Sequence, residues 1–277
     1  MYKNLKPHSS CHCSDDAAKF LQIKLNNRCN GNCWFCIDKG NYSPHVIDID
    51  EIVVATLAEE EYQVVSITGG EPFLDFEILL NLLNKIRPHK KEIIVNTNGS
   101  MISMEKIYEL NGLIDELRVA LHHYDEKINS NIIGTNICFS SIENALKHRK
   151  FKATFNMVIT EAMDNDIGFI DKLTKLCHRL NVCGIKMSEL KCVGIDDGYP
   201  QYAEGHIEAY RLFEHLNVIQ YKDSKELINN GCIDTFAYNG IEFLVKRLCG
   251  YKIIPQTETF KVVYSNGKTD SDWIYVD

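Results

Sequence analysis

Six strand-like segments alternate with helix-like ones between Phe20 and Leu190, and that alternation constrains the fold more than any other feature. Phe20–Leu25 alternates apolar and polar residues and predicts a strand. Asp48–Tyr62 opens on a helix-start residue, carries Asp50 and Glu51 early and then runs apolar at helical spacing. Val64–Thr68 predicts a buried strand, ended by Gly69-Gly70, and Phe76–Ile86 a helix with Pro88 just beyond it. The alternation continues with a strand over Glu92–Asn96, a helix over Met104–Leu110, a strand over Glu116–Leu121 and a helix over Ser141–Lys150. It finishes with a strand over Phe151–Thr160, a helix over Ile167–Leu180 and a strand over Gly184–Leu190. Such a series means parallel strands joined by right-handed crossovers. Sites on parallel sheets of this kind gather at the C-terminal ends of the strands.

The first strand runs into Cys29-Asn30-Gly31-Asn32-Cys33-Trp34-Phe35-Cys36, three cysteines at C-x3-C-x2-C in a loop rich in Asn and Gly. The spacing lets three thiolates converge on one soft metal centre. A structural zinc site takes four closed ligands, and an all-cysteine [4Fe-4S] cluster also takes four. Three leave one iron open to something else. A second motif, Gly69-Gly70-Glu71-Pro72, follows the strand Val64–Thr68.

Together these motifs resemble the signature of the radical S-adenosylmethionine (radical SAM) superfamily. The resemblance implies a partial (β/α)6 TIM-type barrel, in which SAM chelates the fourth iron of a [4Fe-4S] cluster bound by Cys29, Cys33 and Cys36. An electron from the cluster then cleaves SAM to methionine and a 5′-deoxyadenosyl radical. A flavodoxin- or ferredoxin-type donor would supply that electron. By the same resemblance Phe35 lies beside the adenine, and Gly69, Gly70, Glu71 and Pro72 form the turn that meets the methionine ammonium. Thr97, Asn98 and Asn156 are SAM-contacting positions, and Met187 is a residue that could pack on adenine. The chain departs from the pattern at the end of the fourth strand. There Val119-Ala120-Leu121-His122-His123 stands in place of a Ser or Asp facing the SAM.

His122 either replaces that contact, faces substrate and titrates near neutral pH, or is a buried structural histidine. Glu189 is a candidate for substrate binding or proton transfer. Lys186, three residues before it, points to the opposite face. Thr97-Asn98-Gly99 also reads as an ordinary strand-ending turn, Met187 and Trp34 as core, and Cys138 and Cys177 as packing residues. Cys11-His12-Cys13 reads as incidental to a polar lead-in. A second iron–sulfur cluster would draw on Cys192, Cys232, Cys249 and Cys11 or Cys13, none of them in a tight C-x2-C pair.

After Val193 the pattern changes. A helix is expected over Ile207–Leu216 and strands over Phe243–Lys246 and Thr259–Tyr264, followed by the Ser265-Asn266-Gly267-Lys268 turn. These would make a small C-terminal β-containing cap on an α/β barrel. The organisation expected is a lead-in over 1–18, the barrel over 19–217 and the cap over 218–277. The 277 residues carry a net charge of −8, which argues against an extended nucleic-acid footprint. Eleven cysteines, no basic-then-apolar leader and no membrane-length apolar run favour a reduced, cytoplasmic, oxygen-avoiding setting without a membrane partner.

The expected function is hydrogen abstraction from a small-molecule or nucleotide substrate. Only about 19 residues precede the barrel and the late cysteines are sparse, unlike many peptide-modifying relatives. The cysteine spacing, Asn98-Gly99-Ser100 and the modest size resemble viperin-type nucleotide dehydratases, a likeness shared with molybdenum-cofactor-type cyclases. Peptide modification with an auxiliary cluster is the alternative within the class, and a non-catalytic metal-binding protein the alternative outside it.

Overall fold

A computed structural model describes residues 19–36, 38, 44–163, 166–190, 207, 209–213, 216, 233–246 and 260–271. In chain order the elements are β1 (Phe20–Lys24), α1 (Ile49–Ala58), β2 (Val64–Thr68), α2 (Phe76–Ile86), β3 (Glu92–Thr97), α3 (Met104–Leu110) and β4 (Glu116–Ala120). They continue with α4 (Glu126–Ile133), α5 (Phe139–Leu146), β5 (Lys152–Val158), α6 (Phe169–Arg179) and β6 (Gly184–Ser188). The last four are β7 (Ile233–Tyr238), β8 (Ile241–Lys246), β9 (Phe260–Tyr264) and β10 (Thr269–Asp270).

The chain divides into two compact units, one built on residues 18–120, 130–153 and 255–277, the other on 121–129 and 154–254. The first holds strands in the order β10–β9–β1–β2–β3–β4, all parallel except β10. Ile23, Ile67, Val95 and Leu117 form one rung of it, each 0 % exposed. Buried residues of α1, α2 and α3, such as Ile52, Leu82 and Ile107, supply the apolar partners that right-handed crossovers bring to such a face. The opposite face is polar. Gln22, Ser66, Ile94 and Glu116 share one rung, and above it Lys24 stands beside Thr68 and Asn96 beside Arg118. Asn96 Nδ2 donates to Ser66 Oγ (3.0 Å) and the Ile67 carbonyl (2.9 Å), and Arg118 pairs with Glu116 at 2.9 Å. Barrel interiors are usually filled by branched apolar side chains, so this face is unusual.

The second unit holds β5–β6–β8–β7, parallel except β7. Phe236 stacks on Phe243 at 5.2 Å, and Phe213 meets both edge-on.

The late strands expected as a cap lie elsewhere. β9 pairs with β1 and β8 with β6, both in parallel register, so they extend the sheet and satisfy backbone groups that edge strands would leave open. Two elements escaped the sequence reading. α4 is rich in Asn and Ser, poor helix formers, and starts because Asp125 Oδ1 accepts the Lys127 and Ile128 amides. β7 joins β8 through Asn239-Gly240, both at positive φ, the turn that a two-residue hairpin requires. Two helices end early. α1 stops at Ala58 because buried Lys90 takes the carbonyls of Glu59 (2.8 Å) and Tyr62 (3.0 Å). α5 stops at Leu146 because Asn111 brackets the His148 carbonyl and the Lys150 amide. In Ile207–Leu216 the described residues form a 3-10 turn, Ala209–Leu212, in place of the expected helix.

The β9–β10 turn is set against the start of α1: the Asp48 amide donates to the Ser265 carbonyl at 2.7 Å. Gly267 has φ 79° there, and a Cβ on it would fall 2.7 Å from the Glu51 Cβ. Gly267→Ala is therefore expected to lower unfolding stability by about 1–3 kcal/mol, read as a lower urea midpoint at unchanged slope.

Candidate functional site

The cysteine loop and the Gly-Gly-Glu-Pro turn leave adjacent parallel strands and are laced together. Buried Asn26 accepts the Gly70 amide on both its backbone carbonyl and its side-chain Oδ1 (3.0 Å each). Its Nδ2 donates to the Glu71 carbonyl (3.0 Å) and Asp75 Oδ2 (2.7 Å), and the Glu71 amide donates to the Arg28 carbonyl at 2.7 Å. Arg28 and Asp75 form an ion pair across the same junction. The two glycines serve this contact. A Cβ at Gly69 would lie 2.7 Å from Asn26 Oδ1, and one at Gly70 only 2.1 Å from the Arg28 carbonyl oxygen.

Glu71 turns inward and is 1 % exposed. Its Oε1 accepts the Phe73 amide (3.0 Å) and the Thr97 hydroxyl (2.7 Å), and its Oε2 the Asn98 amide (2.6 Å). Burial pushes this carboxyl up, and the three donors oppose the shift. Pro72 is buried and opens the 3-10 turn that Glu71 caps. Thr97 is thus committed to Glu71. The Asn98 side chain binds the cysteine loop, with Nδ2 on Asn30 Oδ1 at 2.8 Å and 3.9 Å from Cys29 Sγ, while its Oδ1 accepts from Ser100. Asn30 Nδ2 closes the ring on Ser100 Oγ at 2.8 Å.

A third support comes from the end of α4. The Ile133 carbonyl accepts the Asn32 amide at 2.7 Å and lies 3.7 Å from Cys33 Sγ. Gly134, at φ 74°, passes so close that a Cβ would meet Asn32 at 3.0 Å. Cys29, Cys33 and Cys36 are all thiols, none of them in a disulfide. Cys29 is raised above its ordinary pKa, first by burial, and the Gly31 amide at 3.2 Å offsets part of this. Phe35 is buried, edge-on to Trp34 at 5.3 Å; Trp34 is 37 % exposed and so is no core residue. Sequence reasoning missed Asn26, Asn30, Ile133 and Gly134 as supports. Only the Asn-rich, Gly-rich character of the loop hinted at them.

The remaining candidates lie in the other unit. His122 is buried, and its Nδ1 accepts the Val158 amide at 3.1 Å, which places the ring proton on Nε2. Its own amide donates to Asn129 Oδ1 at 2.7 Å. Desolvation pushes its pKa down to about 4, so it is neutral at physiological pH and does not titrate near 7. His123 packs on Tyr124 and Phe169, with its Nδ1 accepting the Asp125 amide. Asn156 and Lys186 are register partners on the half-exposed face of β5 and β6. Met187 points the other way and is 0 % exposed, which makes it a packing residue; its partner there is Met157. Glu189 lies just past β6, buried, with Oε1 accepting the Ala209 amide at 2.8 Å; it anchors the 3-10 turn. Cys177 is fully buried, whereas Cys138 is half-buried at the start of α5, 3.1 Å from Ser140 Oγ. Cys11, Cys13, Cys192, Cys232 and Cys249 lie outside the described residues.

A family model described as the radical SAM superfamily matches residues 23–171, more than half of the chain. The chain belongs to the radical SAM superfamily. Radical SAM relatives among curated proteins include a Bacillus subtilis (strain 168) protein named for peptide biosynthesis, YydG. It is 25% identical over 203 residues, covering 71% of this chain and 61% of YydG. Another is the GTP 3′,8-cyclase of Clostridium perfringens (strain 13 / Type A), 31% identical over 188 residues, covering 63% of this chain and 56% of the cyclase. The match thus spans about three fifths of such relatives. Streptococcus suis SuiB bound to S-adenosylmethionine superposes with TM-score 0.64 at 18% identity, over 91% of this chain and 59% of SuiB. A radical SAM methyltransferase from Sphaerobacter thermophilus gives 0.57 at 16% identity, over 84% and 66%. These likenesses show the fold, the α/β partial barrel of radical SAM enzymes.

Membership implies SAM and an iron–sulfur cluster. The donor set fits: three thiols outside any disulfide on one loop, held by hydrogen bonds to the turn after β2, the turn after β3 and the end of α4. Among the described residues no three His, Cys, Asp or Glu side chains are gathered to hold a metal ion.

Two outcomes follow. Glu71→Gln must turn an NH2 toward at least one of three donors. It is expected to cost about 1–3 kcal/mol of stability and, in anaerobic binding measurements, to weaken SAM binding. His122 has a folded pKa of about 4 against an ordinary 6.5, so its stabilisation is complete above pH 6.5 and is lost as the pH falls toward 4. The loss should reach about 3 kcal/mol. His122→Asn, which keeps an acceptor for Val158, should flatten that part of the profile in urea titrations at pH 7.5 and 5.

Proposed function

We propose that this chain is a radical SAM enzyme that holds a [4Fe-4S] cluster on Cys29, Cys33 and Cys36 and abstracts hydrogen from a small polar substrate, with a nucleotide as the favoured class. When bound, the cluster and SAM together supply a 5′-deoxyadenosyl radical. The observation that carries the reading is the junction of the two motif loops, where Asn26 and Glu71 fix the cysteine loop against the turn expected to meet the SAM ammonium. The protein's own residues do the positioning. Gly69 and Gly70 bring the turn down onto the loop, Asn98 and Ile133 hold it from two further sides, and Phe35 supplies an apolar wall.

The polar strand face supports the substrate class. Thr68 ends β2, Asn96 stands one residue before the end of β3, and Arg118 is its register partner on β4, so this polar rung lies where a hydrogen-bonding substrate would be read. The cyclase relatives act, by their name, on GTP. A peptide substrate is the second reading, favoured by the likeness to YydG, and an auxiliary cluster from the late cysteines belongs with it. A flavodoxin- or ferredoxin-type donor and a cytoplasmic setting belong to either reading; among the described residues no helix is long and apolar enough to cross a membrane.

The test is iron and sulfide per chain after anaerobic reconstitution, followed by SAM turnover under dithionite. About four irons and 5′-deoxyadenosine formation, both abolished in the Cys29/Cys33/Cys36→Ala variant, are expected. About eight irons falling to four would support the peptide reading with its second cluster. Zinc in place of iron would overturn the proposal. Nucleoside triphosphates are expected to stimulate 5′-deoxyadenosine release more than unstructured peptides do.

A further inference from the structure

Lys24 closes β1 with its side chain on the polar face, yet it is only 1 % exposed. Its ammonium meets Asp38 Oδ1 at 3.2 Å. Those two residues bracket the whole cysteine loop: Lys24 is the last residue before it leaves the strand, and Asp38 stands two residues beyond Cys36. Every thiol of the proposed cluster lies between the two ends of this ion pair.

The other supports act inside the loop. Asn26 ties its beginning to Gly70 and Glu71, Asn98 ties Asn30, and Ile133 ties Asn32 and Cys33. The pair with Lys24 joins the Cys36 end of the loop to β1. Closing a loop costs chain entropy, and closing it with charges costs desolvation that is recovered only while both partners are present.

We propose that the Lys24–Asp38 ion pair is the clasp of the cluster loop, a positioning pair that sets Cys36 relative to Cys29 and Cys33 and so governs how firmly the cluster is held. This rests on the cluster assignment made above. The two partners are not equivalent. Loss of Lys24 leaves a carboxylate beside a site that must gather three thiolates, whereas loss of Asp38 leaves an ammonium there, which partly compensates thiolate charge. The lysine is therefore the more demanding half.

Reconstituted full chain, wild type and K24M, D38N, K24M/D38N and K24R, is held anaerobically with excess chelator, and decay of the cluster absorbance is timed. Melting of each apo-protein is recorded alongside. K24M is expected to lose cluster about tenfold faster than wild type, D38N less so, and the double variant more slowly than K24M because it also removes the carboxylate beside the thiolates. K24R, which keeps the charge, should stay near wild type. Decay at the wild-type rate in every variant overturns the clasp, as does a double variant that merely sums the single effects. Apo-protein melting points that fall in the same order and proportion as cluster retention overturn it in favour of a general stability role. Should K24M fail to fold, fast decay in D38N with retention in K24R still supports the clasp, and the reverse overturns it. A wild type that takes up no iron refutes the cluster assignment itself, while a wild type that holds iron with variants indistinguishable from it refutes only this inference.

Discussion

The site depends on two backbones that approach more closely than side chains allow. The turn after β2 is pressed onto the loop after β1, with Gly70 so near the Arg28 carbonyl that not even a methyl group fits. From that contact the rest follows. It brings the Gly70 and Glu71 amides onto Asn26 and Arg28, and it sends the Glu71 carboxylate inward to meet the end of β3. Three consecutive strand ends are thereby fixed relative to one another by the protein's own groups. Preorganisation of this kind is what a site needs when the chemistry belongs to the cofactor and the protein supplies orientation.

The parallel sheet makes this arrangement possible. Parallel register sets the ends of β1, β2 and β3 side by side, and an apolar rung through Ile23, Ile67, Val95 and Leu117 locks that register, because a slip of one residue would move those four side chains onto the polar face. The polar face is then free to carry Lys24, Asn96 and Arg118. Its charges come in pairs, Lys24 with Asp38 and Arg118 with Glu116, which limits the cost of keeping them out of water.

Much of this was legible in the sequence. Strands with period-two or continuous apolar patterns and helices with clear starts emerged with nearly the right bounds; Val64–Thr68, Phe76–Ile86 and Met104–Leu110 match the structure residue for residue. The two motifs and their places at strand ends were legible as well, because Cys, Gly and Pro carry backbone or metal chemistry that few other residues supply. What was not legible depends on long-range pairing. Nothing local tells that β9 joins β1 or that β8 joins β6. Nor does local pattern show that Glu71, Thr97 and Asn98 spend their polar groups on one another, or that Met187 and Asn156 look out from opposite faces. α4 was missed because its Asn-rich sequence has weak intrinsic preference and owes its helix to Asp125. His122 looked like a neutral-pH titrant until its burial was known.

The polar strand face has a consequence for the thermodynamics of recognition. The face carries amides, hydroxyls and paired charges, so a substrate docked there as proposed would trade hydration for direct hydrogen bonds and bury little apolar surface. Association at such a wall is marked by a favourable enthalpy and only a small negative heat-capacity change. Selectivity at such a face would come from the penalty for leaving one of those groups unmatched, which rejects a close analogue that lacks a single hydroxyl or amine far more sharply than an apolar wall could.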